Sequence, residues 1–236
     1  MNISASYYSA IGGRENNEDA VTLLESSESV IGVVADGLGG HRDGELASKI
    51  AINTINAAIA HQEVSQQVLR KAVALANSRI LEDREHTSMK TTLAAVWIDD
   101  ENALAASVGD TRIYQFREGR IVFQSKDHSV AQMACLAGDI TEQEIRTSRE
   151  RHRLTRALGA QEEVKADISP LQICTGDALL LCSDGFWEKI WEDSMLLDLQ
   201  EAASAGEWLK KMRGRIDGQG GTASGDNHSA VAIIIR

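Results

Sequence analysis

The residues best suited to chemistry are acids. Asp19 in the stretch NNEDA, Asp36 in VVADG, Asp110 in SVGDTR, Asp184 in LLCSDG and Asp226 in SGDNHS each stand at the expected end of a strand. The apolar runs beside them must share one core, so the strand ends can converge on one rim. Carboxylates gathered there repel one another unless a cation neutralises them. An all-oxygen donor set, without cysteine and without paired histidine, suits Mg2+ or Mn2+ rather than Zn2+. More than three carboxylates suggest at least two ions. A plainer alternative stays open at this point, because Asp-Gly is the favoured pair of tight turns and Asp226-Asn227 reads equally as a turn.

Composition narrows the partners. Across 236 residues, Lys plus Arg number 24 and Asp plus Glu 35, a net charge of −11. A basic excess for phosphate contacts is missing, which disfavours nucleic acid and anionic membrane surfaces. Hydrophobic residues make up 43%, enough for a real core. The N-terminal stretch lacks the pattern of a signal peptide. The longest apolar run, Ala230 to Ile235, is strand-sized, far short of the ~18 residues of a membrane helix. Cys135, Cys174 and Cys182 show no CxxC spacing and make no full disulfide framework. These features point to a reduced, cytoplasmic protein with no membrane insertion and no thiolate zinc site.

The elements that must position the acids follow from periodicity. Val30 to Ala35 is a β-branched run that stops at Asp36-Gly37. Glu45 to His61 reads as a helix with Ala47, Ala51, Ile55, Ala58 and Ile59 on one face. Val64 to Glu85 repeats the pattern with Val68, Ala72, Leu75, Ala76 and Ile80. Strands are expected at Thr91 to Ile98, Ala103 to Val108, Val164 to Ile168, Ala178 to Cys182 and Ser229 to Ile235. Arg112 to Phe116 and Arg120 to Phe123 flank Glu118-Gly119, a hairpin signal. Helical patterns fill Ser194 to Ile216. Helices in a block, then sequential strands, then helices, then a closing strand favour α+β with largely antiparallel sheets. A polar, helical insert from Lys126 to Gly159 reads as a flap on a single domain spanning residues 1–236.

The motifs occur in a telling order. Arg14-x-x-Asn17-Glu18-Asp19 is followed by Asp36-Gly37-Leu38-Gly39-Gly40-His41 and Thr91-Thr92-Leu93. Next come Gly109-Asp110-Thr111-Arg112, Asp127-His128-Ser129 and Leu154-Thr155-Arg156-Ala157-Leu158-Gly159, then Ser183-Asp184-Gly185 and Gly225-Asp226-Asn227. Each is weak alone; in this order they resemble the metal-dependent PPM (type 2C) serine/threonine phosphatases in compact bacterial form, from about Arg14 to Ile235.

The resemblance implies a central β-sandwich of two antiparallel sheets flanked by helix pairs, with metals at one edge. It implies that Asp36 bridges two ions, Mn2+ or Mg2+, and that the Gly37 carbonyl ligates one. Asp184 and Asp226 would complete one ion's shell, with Glu18 and Asp19 serving the other, partly through water. Asp110 matches the acid of a third, weaker cation position. Arg14 matches the arginine that holds the substrate phosphate, where a planar guanidinium clamps two oxygens. The implied reaction is hydrolysis of phosphoserine or phosphothreonine by direct attack of hydroxide shared by two metals, without a phosphoenzyme. Substrates would be phosphorylated proteins, with a bacterial Ser/Thr kinase or its targets among them. Asp184 to Glu188 (DGFWE) also resembles phosphatases associated with type VI secretion.

Several readings stay open in the sequence. Leu38 stands where many eukaryotic members carry histidine, so either His41 or water protonates the leaving group. Arg146, Arg149, Arg151, Arg153 and Arg156 fall within eleven residues of the flap; they read as a solvated helix face paired with nearby acids, or as a substrate-steering patch. Trp97, Trp187 and Trp191 read as packing residues, and His128 and His228 as loop residues, with support of Asp226 as the alternative for His228. A pseudophosphatase that only binds is the alternative function, although such members usually lose metal aspartates and this chain keeps them. A two-metal hydrolase of small phosphates is a third reading.

Overall fold

In the computed structural model, residues 2–39, 42–83, 89–218 and 225–236 are described. His41 and Gly40 lie outside the described residues. In chain order the strands are β1 (Ile3–Ala10), β2 (Asp19–Glu25), β3 (Val30–Leu38), β4 (Lys90–Thr91), β5 (Leu93–Ile98) and β6 (Ala103–Val108). They continue with β7 (Arg112–Arg117), β8 (Arg120–Gln124), β9 (Asp167–Pro170), β10 (Ala178–Cys182) and β11 (His228–Ile235). The helices are α1 (Arg42–Ile59), α2 (Gln66–Glu82), α3 (Val130–Ala137), α4 (Glu142–Ile145), α5 (Asp184–Trp187), α6 (Glu192–Gln200) and α7 (Ala205–Gly218).

Two sheets result, one in the order β1-β11-β10-β7-β8 and the other β2-β3-β5-β6-β9, with β4 added beside β3. Every pairing is antiparallel. Alternation along the strands sends side chains into separate cores. Val34, Val96, Ile113, Leu179, Leu181, Val231 and Ile233 fill the space between the sheets. Ile31, Val33 and Ala35 point the other way, onto Ala47, Ala51, Ile55 and Ile59 of α1 and Leu69, Ala76 and Ile80 of α2. Leu180 and Cys182 pack with Phe186, Trp187, Trp208, Leu209 and Met212 on the far side. The expected α+β sandwich with flanking helices is therefore the architecture found. Each fully buried Leu, Ile or Val contributes roughly 1.5–3 kcal/mol, so three such layers hold the strand ends firmly.

The structure departs from the sequence reading in four places. Strands β1 and β2 were not expected, because their runs are interrupted by serine, threonine and acids and remain half-buried. They are specified by partners instead: β1 pairs with β11 from Ile3↔Ile235 to Ala10↔His228, and β2 with β3 along its whole length. Strand β9 lies three residues later than Val164 to Ile168 predicted, since Val164 packs on the α1–α2 side while Asp167 to Pro170 pair with β6. Pro170 is tolerated because β9 is an edge strand. Leu75 of α2 is 43% exposed; the buried stripe runs through Leu69, Ala72, Val73, Ala76 and Ile80, about a third of a turn away. The arginine-bearing segment from Arg146 to Arg153 is turn rather than helix, following the single turn of α4. The predicted hairpin forms as a two-residue turn, with Glu118 at φ 50° and Gly119 at φ 74° closing Arg117 onto Arg120.

Candidate metal centre

Five chain segments deliver carboxylates to one rim of the sandwich. Asp19 opens β2 and lies opposite Asp36 of β3 in register. Asp110 sits in the turn between β6 and β7, Asp184 opens α5 just after β10, and Asp226 precedes β11. Glu18 is drawn in by backbone contacts: Gly37 N–H donates to the Glu18 carbonyl at 3.1 Å, and Glu18 N–H donates to Asn227 Oδ1 at 2.8 Å. Asn227 is the tie among these segments, since its amide also donates to the carbonyls of Ile11 (2.7 Å) and Asn16 (2.9 Å). Position 37 needs glycine because β3 meets the start of α1 there: a Cβ would stand 2.1 Å from the Gly44 carbonyl oxygen and 2.7 Å from that of Glu18.

Threonines fix the middle of the site. Asp36 N–H donates to Thr92 Oγ1 (2.9 Å), and the Asp36 carbonyl accepts from Thr91 Oγ1 and Thr92 N–H, both at 2.8 Å. Thr92 Oγ1 in turn meets Thr111 Oγ1 beside Asp110. Asp19 accepts from Ser183 Oγ at 2.8 Å through Oδ2, while its Oδ1 is buried with no hydrogen-bond partner among the described residues. A buried carboxylate oxygen without a donor is costly, and a cation is the natural partner for it.

The electrostatics agree. Burial pushes the Asp19 carboxyl up to about 7, with the charges of Asp184 and Asp226 adding to the shift. Burial likewise holds Asp36 well above the usual carboxylate range, reinforced by Asp184, Asp19, Asp110 and Asp226. Asp110 is raised by burial, then by Asp184 and Asp127. These acids perturb one another, which is the signature of a site built for positive charge. The oxygen-only donors at the centre match Mg2+ or Mn2+ chemistry. The residues thus fit divalent ions on three separate grounds: an orphaned oxygen, the donor type and mutual repulsion.

A cleft of 680 Å³ opens over this rim, lined by Arg14, Glu18, Asp36, His152, Asp184 and Asp226 among others. Asp19 and Asp110 stand behind its wall, 7% and 5% exposed. Arg14 reaches in from the loop after β1 and donates to Asp226 Oδ2 at 2.6 Å; Asp226 Oδ1 accepts from Asn227 N–H at 2.9 Å. Every acid singled out from the sequence is therefore at the rim, and Arg14 faces it. His152 is a cleft residue that sequence reasoning missed, as are Glu15 and Asn16. Its Nδ1 lies 3.6 Å from Asp184 and its Nε2 3.9 Å from Glu188, and hydrogen bonding to Asp184 raises its pKa. It was hidden in the run RERHR, which reads as surface charge. Among the described residues His152, Asp184 and Glu188 form one further group with donor atoms within 4.8 Å, although Arg151 already holds Glu188 at 2.5 Å.

Three more arginines of the run from Arg146 to Arg156 pair with acids, although Arg146 is buried rather than on a solvated helix face. Arg146 meets Glu192 (2.8 Å), Arg153 meets Glu150 (2.5 Å) and Arg156 meets Asp167 (3.0 Å). His128 accepts from Gly109 N–H at 3.0 Å and supports the turn that carries Asp110. His228 contacts the Tyr8 hydroxyl at 3.1 Å, not Asp226. Trp97 and Trp187 are fully buried, whereas Trp191 is 49% exposed.

Comparisons with known proteins point one way. Residues 8–223 match the family model described as Protein phosphatase 2C. The chain is 31% identical over 193 residues to the serine/threonine phosphatase stp of Listeria welshimeri, covering 77% of each. Among solved structures it is similar to the PPM Ser-Thr phosphatase MsPP of Mycobacterium smegmatis in complex with cacodylate, with TM-score 0.85, 32% identity and 99% and 98% of the two chains covered. It is also similar to the catalytic domain of the serine/threonine protein phosphatase PstP with two manganese ions, with TM-score 0.81, 27% identity and 99% of each chain. PppA, a regulatory component of the type VI secretion system in Pseudomonas aeruginosa, superposes with TM-score 0.80 at 26% identity, over 99% and 98% of the chains.

Proposed function

Because the chain belongs to the protein phosphatase 2C family, we propose that it hydrolyses phosphoserine and phosphothreonine in proteins at the rim described above. The observation that carries this reading is the convergence of five carboxylates from five chain segments on one rim, with Asp36, Asp184 and Asp226 lining the cleft, Asp19 and Asp110 behind them, and a buried oxygen of Asp19 left without a donor among the described residues. Asp36 would serve two ions from the centre, with the Gly37 carbonyl beside it. Asp184 and Asp226 would hold one ion, Glu18 and Asp19 the other, and Asp110 a third. Divalent ions bound there, Mn2+ or Mg2+, supply a nucleophilic water of lowered pKa and offset the phosphoryl charge.

The chain's own residues do the rest. Thr91 and Thr92 hold the Asp36 backbone at the centre of the site. Arg14 has a guanidinium at the cleft mouth that can exchange the Asp226 carboxylate for two phosphate oxygens in a bidentate clamp. Among the described residues no cysteine lines the cleft, and burial pushes the Cys182 thiol far up, so a thiolate nucleophile is disfavoured and direct hydrolysis without a phosphoenzyme is the reading. The retained acids argue against a pseudophosphatase.

The substrates would be phosphoproteins in the cytoplasm, with a Ser/Thr kinase or its targets among them. Among the described residues no helix is long and apolar enough to cross a membrane. The likeness to PppA supports a place in type VI secretion control. The test is hydrolysis of p-nitrophenyl phosphate and of a phosphothreonine peptide with Mn2+, Mg2+ or EDTA. Turnover that needs a divalent ion and disappears in Asp36→Ala is expected; activity that survives EDTA overturns the reading.

A further inference from the structure

Trp187 does more than fill the core. It lies three residues after Asp184 on the single turn of α5, and its indole Nε1–H donates to the Asp110 carbonyl at 2.9 Å. Both groups are buried. The same helical turn therefore carries one candidate ligand, Asp184, and grips the backbone of another, Asp110. Two arginines approach the ring. The Arg112 guanidinium lies 3.5 Å from the ring centroid, itself fixed by Asp127 through two hydrogen bonds of 2.9 and 2.7 Å. From the segment after α4, Arg146 lies 5.4 Å from the centroid of this ring and 4.5 Å from that of the Trp191 ring, while donating to the Ile190 carbonyl and to Glu192. Glu192 also accepts from Tyr114, which Arg112 contacts, so the two arginines share one anchoring network.

We propose that Trp187 is a positioning residue that sets the spacing of Asp110 from Asp184, and that Arg146 links this spacing to the seating of the flap. A cation held by Asp110 beside the ion of Asp184 would bind only as well as the separation of those two carboxylates is maintained. The indole N–H is the single side-chain donor on the Asp110 carbonyl among the described contacts, and arginine stacking on tryptophan strengthens as the ring is desolvated. This inference rests on the metal reading proposed above.

The test is Mn2+ binding followed by the EPR signal of free Mn2+, for the full chain and for Asp110→Ala, Trp187→Phe and Arg146→Gln. Asp110→Ala identifies the phase that belongs to Asp110. Trp187→Phe keeps an aromatic ring under Arg112 while removing the donor and part of the buried ring volume. It is expected to weaken that phase about tenfold, ~1.4 kcal/mol, and to leave the tighter phases in place. Arg146→Gln is expected to shift the same phase in the same direction, and it serves if Trp187→Phe does not fold. Isotherms of both variants that superpose on the unmodified chain overturn the inference, as does an equal weakening of every phase, which marks general loosening. An unmodified chain that takes up no Mn2+ sinks the metal reading itself, and this inference with it.

Discussion

Asp19→Asn offers the sharpest test of the electrostatics. Asp19 and Asp36 face each other across the β2–β3 pairing, where like charges are unfavourable. Burial raises Asp19 to about 7, against about 3.9 in an unfolded chain. The folded chain then keeps a proton that the unfolded chain has released, so stability falls as pH rises from about 4 through about 7 and levels off above. The slope for one proton is about 1.4 kcal/mol per pH unit, a ceiling of about 4 kcal/mol over the window. The asparagine variant has no such proton. Its amide still offers an oxygen to Ser183 and places a donor toward the acids. In EDTA, urea unfolding should show Asp19→Asn gaining on the unmodified chain by roughly 1 kcal/mol or more per pH unit between pH 5 and 7. His128 and His228, whose pKa values are lowered by burial, pull the other way in both proteins and cancel in the difference. At pH 8 with Mn2+ the order should reverse, because a carboxylate at position 19 holds its ion more tightly than a neutral amide. Parallel pH profiles in EDTA would refute the argument that the acids are held uncompensated.

Three further outcomes are expected. Arg14→Ala should raise KM for a phosphothreonine peptide by about tenfold or more, yet barely change the melting temperature, since the Arg14–Asp226 pair is exposed and such pairs contribute about 1 kcal/mol at most. Asp127→Ala leaves the buried Arg112 guanidinium without its bidentate partner and should cost about 3–5 kcal/mol in urea unfolding. Gly37→Ala forces β3 away from Gly44 and should lower both stability, by about 1–3 kcal/mol, and Mn2+ affinity measured by calorimetry.

The legible parts of the molecule were those with local signals. The run from Val30 to Ala35, the Ala178 to Cys182 strand and the Glu118-Gly119 turn carry their structure in their own residues, and the acids beside them marked the site. What was illegible is set by partners far along the chain. The β1 strand has an indifferent polar alternation and exists because β11 lies beside it. His152 reaches the cleft only because the segment after α4 folds back, with Val130 N–H bonded to the Arg153 carbonyl and Leu158 paired with Thr91. The Trp187 contact with Asp110 spans 77 residues, beyond any periodicity a sequence window can show.

The tie made by Asn227 has a consequence for timing. Its amide and backbone neighbours join the segment around Ile11 to Asp19 to the strand that follows every other element. A ribosome therefore releases Arg14, Glu18 and Asp19 long before the residues that orient them. Contacts of such sequence separation form late. A nascent or truncated chain lacking residues 225–235 would miss the strand between β1 and β10 as well as Asp226, so catalytic competence should arrive in a single step with β11 rather than accumulate during synthesis.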